Sequence, residues 1–249
     1  MILKKLIRTL LTENNIVFAK MKKFKHVTHV IFDMDGLLLN TEDIYTVAFK
    51  QICEPYGKIY DWETKKLCMG NKFDVGSKII IDRLQLPITV PQLKEKFDAI
   101  IDDLFHNSEL LEGALKLVEH LVDSKIPVAL CSGSSIKGYQ AKTKNHQQFF
   151  TNFNPKVLCS DDPEVKFGKP NPDAYEVTRK RFTGKIPAPE SCLVFEDSYN
   201  GVLSALAAGM QCVMVPDPRV EQEQKDKATL CLGSLLEFKP EEFGLPPYK

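Results

Sequence analysis

The sequence predicts an α/β fold: an open parallel sheet covered by helices on both faces, with a helical segment inserted after the first strand. Three observations predict it. Five apolar runs of four to six residues, rich in β-branched side chains, recur at 27–32, 127–131, 156–159, 192–195 and 211–215. Continuously apolar runs of this length suit strands buried on both faces. Helical patterns separate most of them, which is the βαβ arrangement. One interval instead carries about 65 residues of helical pattern without a convincing strand, far more than a simple crossover requires.

Taken in order, "VTHVIF" (27–32) is the first strand. After it come "KIIIDRLQL" and "QLKEKFDAIIDDLF", both amphipathic at helical spacing. The interval 44–110 therefore reads as a helical cap of three or four helices, joined by two hinges to a Rossmann-like core comprising 26–43 and 111–249. Segments 113–124 and 172–181 are the crossover helices of that core. Residues 1–25 form an N-terminal extension. Leu3, Leu6, Ile7, Leu10 and Leu11 stand at helical spacing among Lys4, Lys5 and Arg8, so the segment reads either as a mitochondrial targeting helix or as a loose extension before Met21. Glu13 and the asparagine pair after it count against targeting.

Thirty-three basic and 33 acidic residues leave no net charge. Nothing argues for a nucleic acid polymer, and an anionic partner must be captured by a local site. The seven cysteines form no CxxC pair, which fits reduced thiols in a cytoplasmic protein better than a disulfide frame or a zinc site. No apolar run reaches the ~20 residues of a membrane span.

Ligands of open parallel sheets sit outside the carboxyl ends of the strands. The residues there are Asp33 and Asp35 after the first run, Ser132, Gly133 and Ser134 after the second, Asp161, Asp162 and Lys169 after the third, and Glu196, Asp197 and Ser198 after the fourth. Asp33 and Asp35 are two apart, so their carboxylates can share one side and would repel without a cation or shared proton. Asp197 completes an all-oxygen set suited to Mg2+. Lys169 and Ser132 suit a bound phosphate, as a point charge and a donor. Together the set reads as phosphoryl transfer.

"DMDGL" (33–37), "ALCSGSS" around Ser132, "KFGKPNPD" (166–173) and "FEDSYNG" (195–201) resemble, in order and separation, the four motifs of the haloacid dehalogenase superfamily. The wider text is most similar to its pseudouridine-5′-phosphatase group. The resemblance implies a Mg2+-dependent phosphomonoesterase acting through an aspartyl-phosphate on a small nucleotide or sugar phosphate, foremost pseudouridine 5′-phosphate. It implies Asp33 as nucleophile and Asp35 as proton donor and then base. Mg2+ would be held by Asp33, the Asp35 main-chain carbonyl and Asp197, and the phosphoryl oxygens by Ser132, Gly133 and Lys169. Glu196 could assist the metal or hold Lys169. Asn40 stands where many relatives carry aspartate, so a closure role that relies on charge loses its basis there. The protein is expected to act as a monomer on a small phosphorylated metabolite.

Other readings stand beside these. The two aspartates could cap a turn, Ser134 or Ser135 could cap a helix, and Lys166 competes with Lys169. Gly36 relieves crowding where the chain leaves the strand, and Gly201 lets the next helix start close to the sheet. Cys131 invites a redox reading, and "MGNK" (69–72) is either substrate-facing or a turn. A sugar phosphomutase on the same scaffold would carry the same motifs, and a non-catalytic binding protein is the rival from another class, against which the intact Asp33, Asp35, Lys169 and Asp197 argue.

Overall fold

The computed structural model describes residues 24–69, 71 and 73–249, so the targeting pattern at 1–25 lies outside the described residues but for Phe24 and Lys25. One six-stranded parallel sheet runs in the order β3-β2-β1-β4-β5-β6. Its strands are β1 (His29–Phe32), β2 (Val128–Ser132), β3 (Lys156–Leu158), β4 (Cys192–Glu196), β5 (Gln211–Met214) and β6 (Leu230–Cys231). Five match the expected runs, trimmed or extended at their ends. The sixth is two half-buried residues, too short for a pattern to signal. β1 lies between β2 and β4, with Val30 opposite both Val128 and Leu193. The strand order reverses there, which is where such sheets open a crevice.

The strands split their side chains between two cores. Val30, Phe32, Val128, Leu130, Leu193, Phe195 and Val213 face one side, packing on Leu117, Val118 and Leu121 of α5 (Ala114–Asp123). Ile31, Ala129, Cys131, Cys192, Val194, Cys212 and Met214 face the other. There they meet Ala174 and Tyr175 of α8 (Asp173–Lys180) and Val202 and Ala205 of α9 (Tyr199–Ala207). This is the period-two alternation of a strand buried on both faces. Cys131, Cys192 and Cys212 are thus small apolar spacers against one helix layer.

Between β1 and β2 stand α1 (Thr41–Cys53), α2 (Trp62–Cys68), α3 (Phe73–Leu84) and α4 (Val90–Phe105). They have a core of their own, in which Phe49, Ile52, Tyr60, Ile80, Leu93, Phe97 and Ile101 pack together. Asp61 caps α2 by accepting from Thr64 N, and Thr89 with Gln92 forms a capping box on α4. The two chain crossings into this layer pair with each other. Leu111 N donates to Leu38 O and Asn40 N to Glu109 O, while Asn40 Oδ1 accepts from Glu109 N at 2.9 Å. Asn40 therefore needs an acceptor oxygen here and no charge. Farther out, Lys66 pairs with Glu221 at 3.0 Å, and Arg219 lies 4.2 Å over the ring of Trp62.

Phe97→Ala should remove about 3–5 kcal/mol of stability by opening a hole in the helical layer. Because Trp62, the single tryptophan, belongs to that layer, its fluorescence in urea should change at a lower midpoint than far-UV circular dichroism; coincident midpoints would show one cooperative unit.

Candidate active site

β1 delivers Asp33 to the middle of the sheet edge, where its N–H donates to Phe195 O at 3.0 Å. The chain then turns sharply: Leu38 N and Leu39 N both donate to Met34 O, and Gly36 adopts φ +81°. A Cβ at Gly36 would lie on the Asp197 carboxylate and on Glu42, so only glycine lets the turn approach this closely.

Lys169 is the hub of the site. Its buried ammonium donates to Asp33 Oδ1 and Glu196 Oε1, each at 2.6 Å, and to Cys131 O at 3.3 Å. Burial alone would lower its pKa, but Asp33 and Glu196 hold it well above its ordinary value. Glu196 also accepts from the hydroxyls of Tyr175 and Ser198, so both its oxygens are occupied and its role in holding Lys169 is visible. Oxygens of Asp33, Glu196 and Asp197 gather within 4.8 Å of one another. Burial pushes the Asp33 carboxyl up to about 8 despite Lys169. Asp197, buried and facing Glu196, Asp33 and Glu42, is pushed well above the carboxylate range. Its carboxylate accepts no hydrogen bond among the described residues.

Asp35 points away from that cluster. Oδ1 accepts from Thr41 at 2.7 Å and Lys142 at 2.5 Å, and Oδ2 from Ser134 at 2.9 Å and Ser132 at 3.1 Å. Burial pushes this carboxyl up, but Lys142 and the hydroxyl donors outweigh it and hold it below its usual value. Ser132, the last residue of β2, therefore faces Asp35. Gly133, Ser134 and Ser135 are the residues of that loop that line the cavity, and Ser135 caps α6 (Ile136–Thr143).

The other expected residues divide clearly. Asp161 accepts from Ile136 N at 2.6 Å and lines the cavity, whereas Asp162 is paired twice with Arg181. Lys166 is exposed and does not line the cavity. Burial raises the Cys131 thiol well above its ordinary pKa, which removes the redox reading. Of 69–72, Met69 and Asn71 are described and both line the cavity. Sequence reasoning missed Lys142, Thr41, Tyr175, Glu42 and the Lys65 that pairs with Glu42 at 3.2 Å. Lys142 shares the buried side of α6 with Thr143, a placement that only the packing shows.

The cavity above this floor measures about 560 Å3 and is walled on the helical side by Tyr45, Phe49, Phe73, Phe97, Asn71 and Lys94. Three carboxylates against one ammonium leave two negative charges in excess at its base. Protons can relieve that excess, as the raised pKa values of Asp33 and Asp197 record, and so can one divalent cation.

Residues 27–209 match the family model of the haloacid dehalogenase-like hydrolases. A Drosophila melanogaster protein named a probable pseudouridine-5′-phosphatase is 46% identical over 227 residues, 91% of this chain and 98% of its own. The (DL)-glycerol-3-phosphatase 2 of Arabidopsis thaliana is 40% identical over 225 residues, 90% of this chain and 93% of its own. A β-phosphoglucomutase from Clostridium difficile has the same fold, with a TM-score of 0.70 over 86% of this chain and 94% of that one at 20% identity.

A Cβ at Gly201 would fall on the Glu196 carboxylate, whereas one at Gly133 would meet open space. Gly201→Ala should cost about 1–3 kcal/mol and Gly133→Ala nearly nothing, read from urea midpoints; equal midpoints would remove the steric account of Gly201.

Proposed function

The chain belongs to the haloacid dehalogenase-like hydrolases and is a phosphatase, and within that family we propose a Mg2+-dependent phosphomonoesterase whose substrate is pseudouridine 5′-phosphate. The observation that carries the chemistry is the Asp33–Lys169 ion pair, flanked by Glu196 and Asp197, at the base of the cavity.

Asp33 Oδ2, which accepts no hydrogen bond among the described residues, attacks phosphorus as the bond to the leaving oxygen breaks, giving an aspartyl-phosphate. Lys169 and the loop 133–135 bind the phosphoryl oxygens. Asp35 gives its proton to the leaving alkoxide; the incoming phosphate's negative charge favours the protonated form. Ionised again, the state its four donors favour, Asp35 takes a proton from the water that hydrolyses the intermediate and restores Asp33. The donor set fits Mg2+: buried, all oxygen, two charges in excess and one carboxylate without a donor. Asp33 and Asp197 would hold the ion, which supplies positive charge opposite the transferring phosphoryl group.

The substrate reading rests on the 46% identical relative and on the cavity. A nucleoside monophosphate fits 560 Å3, and Tyr45, Phe49, Phe73 and Phe97 offer apolar faces to a planar base. Residues 44–110 act as the cap that selects this organic half, and 26–43 with 111–249 as the catalytic core. The seven cysteines, five of them buried, stand in no disulfide, which accords with a cytoplasmic protein. The glycerol-3-phosphatase relative favours a second reading, in which a smaller polyol phosphate occupies the cavity.

Phosphate release across a panel of monophosphates decides between them. Pseudouridine 5′-phosphate should exceed glycerol 3-phosphate and uridine 5′-phosphate in kcat/KM by at least about tenfold; a preference for glycerol 3-phosphate would overturn the substrate and leave the phosphatase. Chelation should abolish turnover and Mg2+ restore it. Asp33→Asn should lower kcat by about 10³-fold or more with the fold intact.

A further inference from the structure

Lys142 is a buried lysine that the chemistry above uses only as one of the four donors to Asp35. Its side chain is 1% exposed, an expensive location for an ammonium unless its surroundings compensate it. It sits at the end of α6, in the core, and donates to Asp35 Oδ1 at 2.5 Å and Ser134 Oγ at 2.7 Å. The rings of Tyr45 on α1 and Phe105 on α4 lie 5.0 Å from the nitrogen, within cation–π range. One charge thus touches the proton-transfer carboxylate on one side and two helices of the inserted layer on the other.

We propose that Lys142 is a positioning residue that fixes the Asp35 carboxyl for proton transfer, and that it does so only while Tyr45 and Phe105 of the helical layer cover it. Without Lys142, Asp35 keeps only hydroxyl donors, Thr41 on Oδ1 and Ser132 and Ser134 on Oδ2, and loses both its one charged partner and the ammonium that orients Ser134, so the carboxyl is held less tightly. With the layer withdrawn, water replaces the two ring faces and competes for the ammonium. Asp35 is then in position when the cavity is closed and released when it is open. Proton transfer falls off steeply once donor and acceptor leave hydrogen-bond reach.

The inference rests on Asp35 as the proton-transfer group, so its test carries Asp35→Asn as a reference. kcat/KM reports formation of the phosphoenzyme, and it is measured with glycerol 3-phosphate, whose alkoxide needs a proton, and with p-nitrophenyl phosphate, whose phenolate does not. Lys142→Met keeps the side-chain bulk and removes the charge. It should lower kcat/KM for the alkyl ester by about 100-fold and for the aryl ester by less than about threefold. Phe105→Leu, which leaves the lysine's hydrogen bonds in place, should give the same split at about three- to tenfold and stands in should Lys142→Met fail to fold by circular dichroism. Equal losses on both esters in these variants, beside a split in Asp35→Asn, would reduce Lys142 to a structural tie and overturn the proposal. No split in Asp35→Asn would remove Asp35 as the acid, and Lys142 with it, while turnover that still depends on Asp33 leaves the phosphatase reading intact.

Discussion

Everything at this site depends on one buried ammonium. Lys169 is shared between Asp33 and Glu196, and it lets the sheet carry carboxylates at the carboxyl ends of β1 and β4, two adjacent strands. Without it three like charges would be packed within a few ångströms under little solvent. With it the ionised cluster remains short of neutrality by two charges, a deficit that protons or a doubly positive ion can offset. Tyr175 and Ser198 complete the arrangement by filling the lone pairs of Glu196 that Lys169 leaves, so the lysine is held from behind by a network whose members are all satisfied. A weaker support would let Lys169 follow either carboxylate. The geometry instead fixes it between them, facing the cavity.

Two carboxyl groups two residues apart end up in opposite electrostatic situations. Asp33 and Asp197 are pushed toward the protonated form by burial and by the nearby Glu196, while Lys142, Thr41 and the serines outweigh burial at Asp35 and hold it ionised. The difference comes from direction alone: the turn at Gly36 sends the Asp35 side chain away from Lys169 and toward Lys142. The proposed roles, attack by Asp33 and proton donation by Asp35, need the reverse ionisation, so a cation bound beside Asp33 would have to ionise it and the substrate's phosphate would have to protonate Asp35.

The sequence made legible the residues that follow directly from strand position. Asp33, Asp35, Lys169 and Asp197 each come soon after a continuous apolar run, and a parallel sheet brings such ends together whatever lies between them. The crossover helices and the helical insertion were legible for the same reason, since period and length are local properties. The partners were not. Lys142, Tyr175 and Glu42 lie on helices, and only the packing of α6 on α1 and α4, or of α8 on the sheet, turns them toward the site. Ser132 was placed correctly along the chain, but its hydroxyl direction follows from Asp35, a contact 97 residues away. β6 was invisible because two residues carry no periodicity.

Asn40 has a consequence beyond its own hydrogen bond. It and Leu39 tie the outgoing chain of the insertion to Glu109 and Leu110 on the returning chain, so the helical layer leaves and rejoins the sheet at a single seam. Such a seam is a splice point. The segment between its two sides can be lengthened, shortened or exchanged while β1 and β2 keep their register. Under the proposed division of roles, the phosphate chemistry would stay with the sheet while recognition could vary with the stretch beyond the seam.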